Sequence, residues 1–518
     1  MPFGRKRYDG GAWGELLPPA NRPEKKDVAV AYSCCQAGDS DGWLYQSRRA
    51  FGSLGVEMTA EAFSRQVEYL GHTPKEPVPS PKVAKLASEP VRLLDFARNA
   101  GRNMLEVIPD ETLFELYVRG PARIHWICDP EVVTELLLGP GRRFPKASFT
   151  KQILGSAVGK SMMLSEGSVW REQRQRYAPL FAARNLPTLA KHFSETGYNL
   201  SRELAFGADA VDVADISKKA TLANICKVMF SGSDLVNPLV VREGLERYFE
   251  HISRLSLFDI VGLPSWVPRA KWLRSRAPVT SMRSLARNVI EGRRAERRTV
   301  PLDFLDLMIE ALDLDNEDIE RTVDNLLTFV VAGHETAANT LAWGLYLLAL
   351  NPQAQCEIRA EIMQVCSQDR IRFDDLQRMP LLRAHVHETL RLYPAAAFFA
   401  RDASEDLQVK NVVIRRGDPI FFPVYSLHRH RRLWQDPDSY QLDRFLKVKP
   451  PRGQFIPFGD GPRVCIGAQY AETEIMVLMA SIVSKVRLSL TNYAIPEPLL
   501  TFTMRPSGPL RLGVTPVG

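Results

Sequence analysis

Cys465 stands in the stretch FGDGPRVCIG, residues 458–467, with Gly459 and Gly461 before it and Gly467 after it. A thiol in such a loop could serve as a metal ligand, a nucleophile, half of a disulfide or a small apolar filler. Zinc or iron–sulfur chemistry needs several Cys or His ligands at short spacing. Here the nearest other cysteine is Cys366 and the nearest histidine His430, and no CxxCH run for covalent haem is present. A nucleophile needs a histidine brought close by the fold, which spacing alone leaves open. The glycines suit close approach of a flat ligand. Gly467 also leads into the helical run AQYAETEIMVLMASIV, whose backbone N–H groups lower a thiol pKa. A stabilised thiolate facing a planar group suggests axial ligation of haem iron.

Four other groups of residues carry chemical interest. In AGHET, Ala332 and Thr336 lie four apart on one helical face, with Gly333 and Glu335 between them. Gly333 costs about 1 kcal/mol in a helix interior, so its presence asks for a reason. Thr336 can bond back to the carbonyl four residues earlier, loosening the ladder for a small polar ligand. A close helix–helix contact explains the same small residues, and on this stretch alone it ranks first. Glu388 and Arg391, three apart in HETLRLYP, read most simply as a surface ion pair worth roughly 0–1 kcal/mol. Arg401 follows that helix, and Arg444 sits among apolar neighbours in YQLDRF. Trp170 and Arg174 share a helical face in WREQR, and both suit a buried anionic group.

The elements that must position these groups are mostly helical. Helix patterns cover residues 89–102, 170–181, 215–230, 316–350, 352–366 and 381–392. Short strand-like pieces fall at 114–118, 123–128, 407–409 and 418–422, with another near 500–504. The segment 316–350 opens on capping and acidic residues and closes at Asn351–Pro352. Unbroken, its 35 residues would span about 52 Å through the middle of a large domain. The expectation is therefore a mainly α fold, one large helical domain with small peripheral β-sheets and a long central helix. Residues 1–80, rich in Gly, Pro and charge, read as an extension, and residues 81–518 as that one large domain.

Composition bounds the function classes. The chain has 518 residues, 45% of them hydrophobic and 25% charged, an ordinary globular balance. A net charge of +7 is modest, and no basic block interleaves with aromatics, which sets nucleic acid aside. Seven scattered cysteines argue against a disulfide framework. The longest apolar stretch, residues 341–350, is about half of a membrane span, so a cytoplasmic protein without a transmembrane segment is expected. GSAVGKS, residues 155–161, has three residues between its glycines where a phosphate-binding loop needs four, and is rejected as one.

Together these segments resemble the cytochromes P450, the haem-thiolate monooxygenases. FGDGPRVCIG fits that family's cysteine loop at Phe458, Gly461, Arg463, Cys465 and Gly467; AGHET fits its oxygen-activating helix. ETLR fits its Glu-x-x-Arg pair, DRF its meander arginine, WREQR its Trp-x-x-x-Arg and SLHRHRRLWQDP its segment before the meander. All six occur in the expected order, over roughly residue 79 to the end. Two positions depart: Leu442 and Asp443 precede Arg444 where Pro-Glu is usual, and Gln173 stands where histidine is frequent.

The resemblance implies haem b (iron protoporphyrin IX) as cofactor and Cys465 as its proximal iron ligand. It implies that Trp170, Arg174, Arg401 and Arg463 hold the propionates with His428 as helper, while Phe458 packs beside the thiolate and Gly459 and Gly467 let the backbone approach the porphyrin. Thr336 and Glu335 would guide protons, Ala332 and Gly333 would leave room for O2, and Glu388, Arg391 and Arg444 would form a structural network. Electrons from NAD(P)H would arrive through a separate ferredoxin or flavoprotein reductase. Arg171, Arg174, Arg176, Arg429, Arg431, Arg432, Lys447 and Lys449 are candidate steering charges. Met162, Met163, Leu164, Phe329, Ala332, residues 395–398 and Phe502 are expected to line a site for an apolar small molecule. A peroxygenase, dehydratase or isomerase on the same scaffold, or a non-catalytic haem protein, is the alternative. Glu335 and Thr336, which would serve dioxygen chemistry, disfavour both.

Overall fold

The computed structural model describes residues 114–119, 122–139, 144–207, 209–230, 241, 243–244, 270–296, 303–310, 319–366, 368–410, 412–491, 495–500 and 503–517. The helix expected over 89–102, the extension over 1–80, the run LFDIVGLPSWVP at 257–268 and Phe502 lie outside them. A hairpin of β1 (Phe114–Arg119) and β2 (Ala122–Ile127) leads to α1 (Pro130–Leu138), α2 (Ser148–Val158) and α3 (Gly167–Tyr177). Then come α4 (Leu186–Phe206), β3 (Ala210–Asp212), α5 (Val213–Phe230), α6 (Ala270–Ala295), α7 (Phe304–Glu310), α8 (Ile319–Leu350), α9 (Pro352–Val365) and α10 (Pro380–Leu392). Strands β4 (Phe399–Asp402), β5 (Leu407–Val409), β6 (Val412–Ile414) and β7 (Pro419–Phe422) precede α11 (Val424–Leu427) and α12 (Arg444–Lys447). The chain continues through α13 (Ala468–Lys485), β8 (Val486–Leu490), β9 (Pro498–Leu500), β10 (Met504–Pro506) and β11 (Arg511–Pro516). The mainly helical reading holds. Helices α1, α2, α4, α6 and α7 lie beyond the periodic stretches singled out above.

The central helix α8 has 32 described residues, about 48 Å of rise. Nearly every side chain from Thr322 to Ala349 is buried, which explains an apolar face on every side rather than one stripe. Its glycines mark crossings. A Cβ on Gly344 would stand 2.5 Å from Met479 Cε of α13 and 3.4 Å from His385 Nε2 of α10. One on Gly333 would stand 3.3 Å from Ile225 Cδ1 of α5. The helix-contact reading of Gly333 is therefore correct as far as it goes. Trp343 stacks on Tyr393, ring centroids 4.3 Å apart, within the same core.

Two local departures have plain causes. The helix expected over 170–181 stops at Tyr177, because Pro179 has no N–H and cannot continue the ladder; residues 178–181 tighten into a 3-10 turn. The strand expected over 500–504 is a reversal, with β9 and β10 pairing antiparallel, Met504 opposite Leu500. The main sheet runs β1–β2–β7–β4. In it β2 lies parallel to β7 and β4 antiparallel, so Arg401 pairs with Ile420 on the strand at one edge of the sheet. Cys226, Cys366 and Cys465 are free thiols, while Cys356 is disulfide-bonded, one bond where the spacing argued against a framework. Among the described residues no helix is long and apolar enough to cross a membrane.

Candidate active site

A cavity of about 400 Å³ opens between the middle of α8 and the cysteine loop. Ala332, Gly333 and Thr336 form one wall; Phe458, Gly459, Arg463, Cys465 and Gly467 form the other. The loop's shape is set by backbone that only glycine adopts easily, Gly459 at φ +73° and Gly461 at φ +72°. A Cβ on Gly461 would lie 2.2 Å from the Leu137 carbonyl oxygen of α1. Asp460 caps the turn, accepting from Gly461 N–H at 2.7 Å, and Cys465 N–H donates to the Phe458 carbonyl at 2.9 Å. Gly467 is the N-cap of α13. The Cys465 side chain is open to the cavity but otherwise enclosed by protein. That enclosure pushes its pKa up, while the Gly467 N–H and the charges of Arg174 and Lys146 pull it down.

One edge of the cavity is cationic. Arg463 lies over the Trp170 ring, 4.1 Å from its centroid, pairs with Glu166, and has its Nη1 without a partner. Arg174 Nη1 donates to the Val464 carbonyl at 2.9 Å, tying α3 to the cysteine loop. Burial, then the charge of Arg463, lowers the Arg401 pKa to about 10. Lys146, which no motif flagged, joins them. Its backbone bridges to Arg401, and burial followed by the charges of Arg401 and Arg463 brings its pKa down to about 7. Of the described lining residues Lys146, Arg174, Arg401 and Arg463 are cationic and Asp460 alone is acidic, its carboxylate bound by Arg452 at 3.0 Å. So much buried positive charge is costly unless an anion joins it. An open thiol and a rim short of negative charge fit a planar group with two carboxylates. The residues therefore fit haem.

Two expected site residues stand back from the cavity. His428 is buried, its Nε2 accepting from Ile456 N–H at 2.9 Å, and it packs on Phe455. It supports Ile456, which does line the cavity, and does not reach the cavity itself. Burial, then the charge of Arg391, depresses its pKa to about 3, so the ring is neutral. Glu335 is buried beside the cavity and hydrogen-bonded to Thr503, a lining residue from the loop before β10. Burial raises its pKa against the charges of Arg505 and Lys218, and its Oε2 has no partner. Thr336 Oγ1 donates to the Ala332 carbonyl at 2.7 Å, the back-bond expected from their spacing. Met162, Met163, Phe329, Ala395, Ala396 and Phe398 line the cavity, whereas Leu164 and Ala397 turn into the core.

The Glu388 pair overturns the surface reading. Glu388 and Arg391 are fully buried, with Arg391 Nε–Glu388 Oε2 at 2.7 Å and Nη2–Oε1 at 2.8 Å. Arg444 Nε reaches both Glu388 oxygens at 3.1 Å, and the two arginines donate onward to carbonyls of residues 428–439. Asp443 takes no part in this network and pairs with Lys447 at 2.6 Å. Lys146, Glu166 and Thr503 are what sequence reasoning missed. Only the register of β4 beside residue 146, and the fold of the C-terminal hairpin, bring them in.

A thiol loop facing a long helix across an apolar cavity with a cationic edge suits a protein that binds a flat, anionic cofactor beside Cys465. The family model described as Cytochrome P450 matches residues 112–512, and the chain belongs to that family. It is 28% identical over 409 residues to a cytokinin hydroxylase of Arabidopsis thaliana, covering 73% of this chain and 77% of the relative. It is 31% identical over 377 residues to a putative cytochrome P450 132 of Mycobacterium tuberculosis, covering 69% and 80%. It is 28% identical over 418 residues to cytochrome P450 714B3 of Zea mays, covering 77% of each. As a cytochrome P450 it is a haem-thiolate monooxygenase, an oxidoreductase that uses O2.

Proposed function

We propose that this enzyme inserts one oxygen atom into an apolar small molecule, with electrons from NAD(P)H delivered by a separate ferredoxin or flavoprotein reductase. The observation that carries the reading is the division of the cavity, cationic along one edge beside Cys465 and apolar elsewhere, at Met162, Met163, Phe329, Ala332 and Phe398. Bound haem supplies the O2-activating iron, made electron-rich by its thiolate ligand. The catalytic domain is taken as residues 81–518.

The protein's own residues then have distinct tasks. Cys465 would hold the iron, and Gly459 and Gly467 keep the loop slim. Trp170, Arg174, Arg401, Arg463 and Lys146 would hold the two carboxylates and fix the group's rotation. The Thr336–Ala332 back-bond leaves α8 room for a small polar ligand at the cavity wall. Glu335, its pKa raised by burial, would pass a proton through the Thr503 hydroxyl and Thr336 to that point, and regain one from the Lys218 side. Glu388, Arg391 and Arg444 are structural and stay clear of substrate.

Reduced protein under carbon monoxide should show the red-shifted Soret band of a thiolate ligand, and Cys465→Ser should abolish it. A thiolate-type band in the serine variant would overturn the ligand assignment. Thr336→Ala should divert NAD(P)H consumption from product to peroxide; unchanged coupling would remove Thr336 from proton delivery.

A further inference from the structure

Met162 and Met163 face the cavity from the turn after α2, and that turn is held from outside the cavity. Gly159 ends α2 at φ +45°, and a Cβ there would lie 2.2 Å from the Asp324 carboxylate of α8. Lys160 N–H donates to Asp324 Oδ2 at 2.7 Å, and Met162 N–H to Asn325 Oδ1 at 2.9 Å. From the other side, Gln173 of α3 donates through Nε2 to the Lys160 carbonyl and to Ser165 Oγ, each at 3.1 Å. The two amides then close on each other. Asn325 Nδ2 donates to Gln173 Oε1 at 2.9 Å and to the Arg321 carbonyl at 2.8 Å. Both side chains are buried, so neither trades these bonds for water without cost.

This arrangement gives a task to two features the motifs left over. GSAVGKS is a helix end and the start of a clamped turn. Gln173, where the family often has histidine, can donate through nitrogen and accept through oxygen at once, which is what bridging the turn to Asn325 requires. The clasp is continuous with the site on both flanks. Arg174 follows Gln173, and Thr328 and Phe329, one helical turn beyond Asp324 and Asn325, line the cavity. Asp324 is further held by Arg283 of α6 at 2.5 Å.

We propose that the buried Gln173–Asn325 amide pair is a specificity-determining clasp, which sets the position of the Met162–Met163 wall without touching the ligand. Thioether side chains adapt readily to different shapes. A wall built of them discriminates only as well as its backbone is fixed. The inference rests on the cavity being the ligand site proposed above.

The test uses the haem-loaded full chain and 1-alkylimidazoles of graded chain length, read by their spectral dissociation constants. Asn325→Ala and Gln173→Ala should flatten the dependence of affinity on chain length by about tenfold, the scale of one lost hydrogen bond. Amide hydrogen exchange at Lys160 and Met162 should quicken by a similar factor. Gln173→Glu, which keeps shape and the acceptor toward Asn325 but loses both donors to the turn, should do the same if an alanine variant fails to fold. Gln173→His should restore both readouts, because one ring nitrogen can donate to Lys160 while the other accepts from Asn325. Unchanged length dependence and exchange, in variants that keep the thiolate-type carbon monoxide band, would overturn the clasp. So would variants that lose haem while the turn stays protected, which would place Gln173 in service of Arg174 alone. Absence of that band in the wild type would instead sink the haem-thiolate reading.

Discussion

Lys146 shows how far a side chain's chemistry depends on neighbours that its sequence does not announce. Its ordinary pKa of 10.5 falls to about 7 because it is buried and faces Arg401 and Arg463. A lysine depressed in the fold is penalised while charged. That cost is fully present below pH 7 and fades as pH rises toward the unfolded value. Two carboxylates placed against the ammonium reverse the local field, so haem binding above about pH 7 takes up a proton at this site. Haem affinity should therefore decline as pH rises from about 7 to about 9, and Lys146→Met should flatten the decline. Transfer of haem to an acceptor globin across that range measures it; equal slopes in both proteins would exclude Lys146. Cys465, Trp170 and Arg174 were legible because each stands in a short run with fixed local spacing. Lys146 and Thr503 stand in none, and His428, which the run did flag, proves to brace Ile456 instead of reaching the cavity.

Among the elements, α8 and α10 were readable from caps and periodicity, since the rules of helix ends act over a few residues. What periodicity could not reveal is which polar groups a helix buries. Glu388 needed Arg444 from a distant segment before its surface reading failed. Glu388→Ala leaves two guanidinium groups buried without their carboxylate, and should cost about 3–5 kcal/mol in urea unfolding. A loss below about 1 kcal/mol would mean that the carbonyls of residues 428–439 satisfy the arginines alone. On α13, Glu474 is buried with one bond from Asn224 at 2.8 Å, and burial lifts its pKa to about 8. The folded state thus binds a proton that the unfolded chain, at 4.5, releases. Stability from this group is present below about pH 4.5 and declines as pH rises through 8. Glu474→Gln, neutral at every pH, should raise the melting temperature more at pH 9 than at pH 5. Equal gains at the two pH values would show that the carboxyl ionises without penalty.

At the scale of the whole molecule, six ordered motifs were enough to read the class and the mainly helical architecture. The pairing of β2 with β7, the reversal of the C-terminal strands and the burial of individual charges were not, because each joins segments far apart in the chain. The steering charges illustrate the difference. Arg174 lines the cationic edge of the cavity, and Arg429 is buried, paired with Asp438 at 2.8 Å and bonded to the Leu392 carbonyl, so neither presents its charge to a partner. Arg171, Arg431, Arg432, Lys447 and Lys449 are exposed. If these guide an acidic electron donor, the attraction acts at long range and is screened by salt within about 10 Å at 0.1 M. Arg432→Glu combined with Lys449→Glu should slow reduction by a ferredoxin about tenfold at low ionic strength, and added salt should erase the difference from wild type. Reduction by dithionite, which needs no docked protein, should be the same in both. A ferredoxin rate untouched by the double reversal would move the docking face away from these residues.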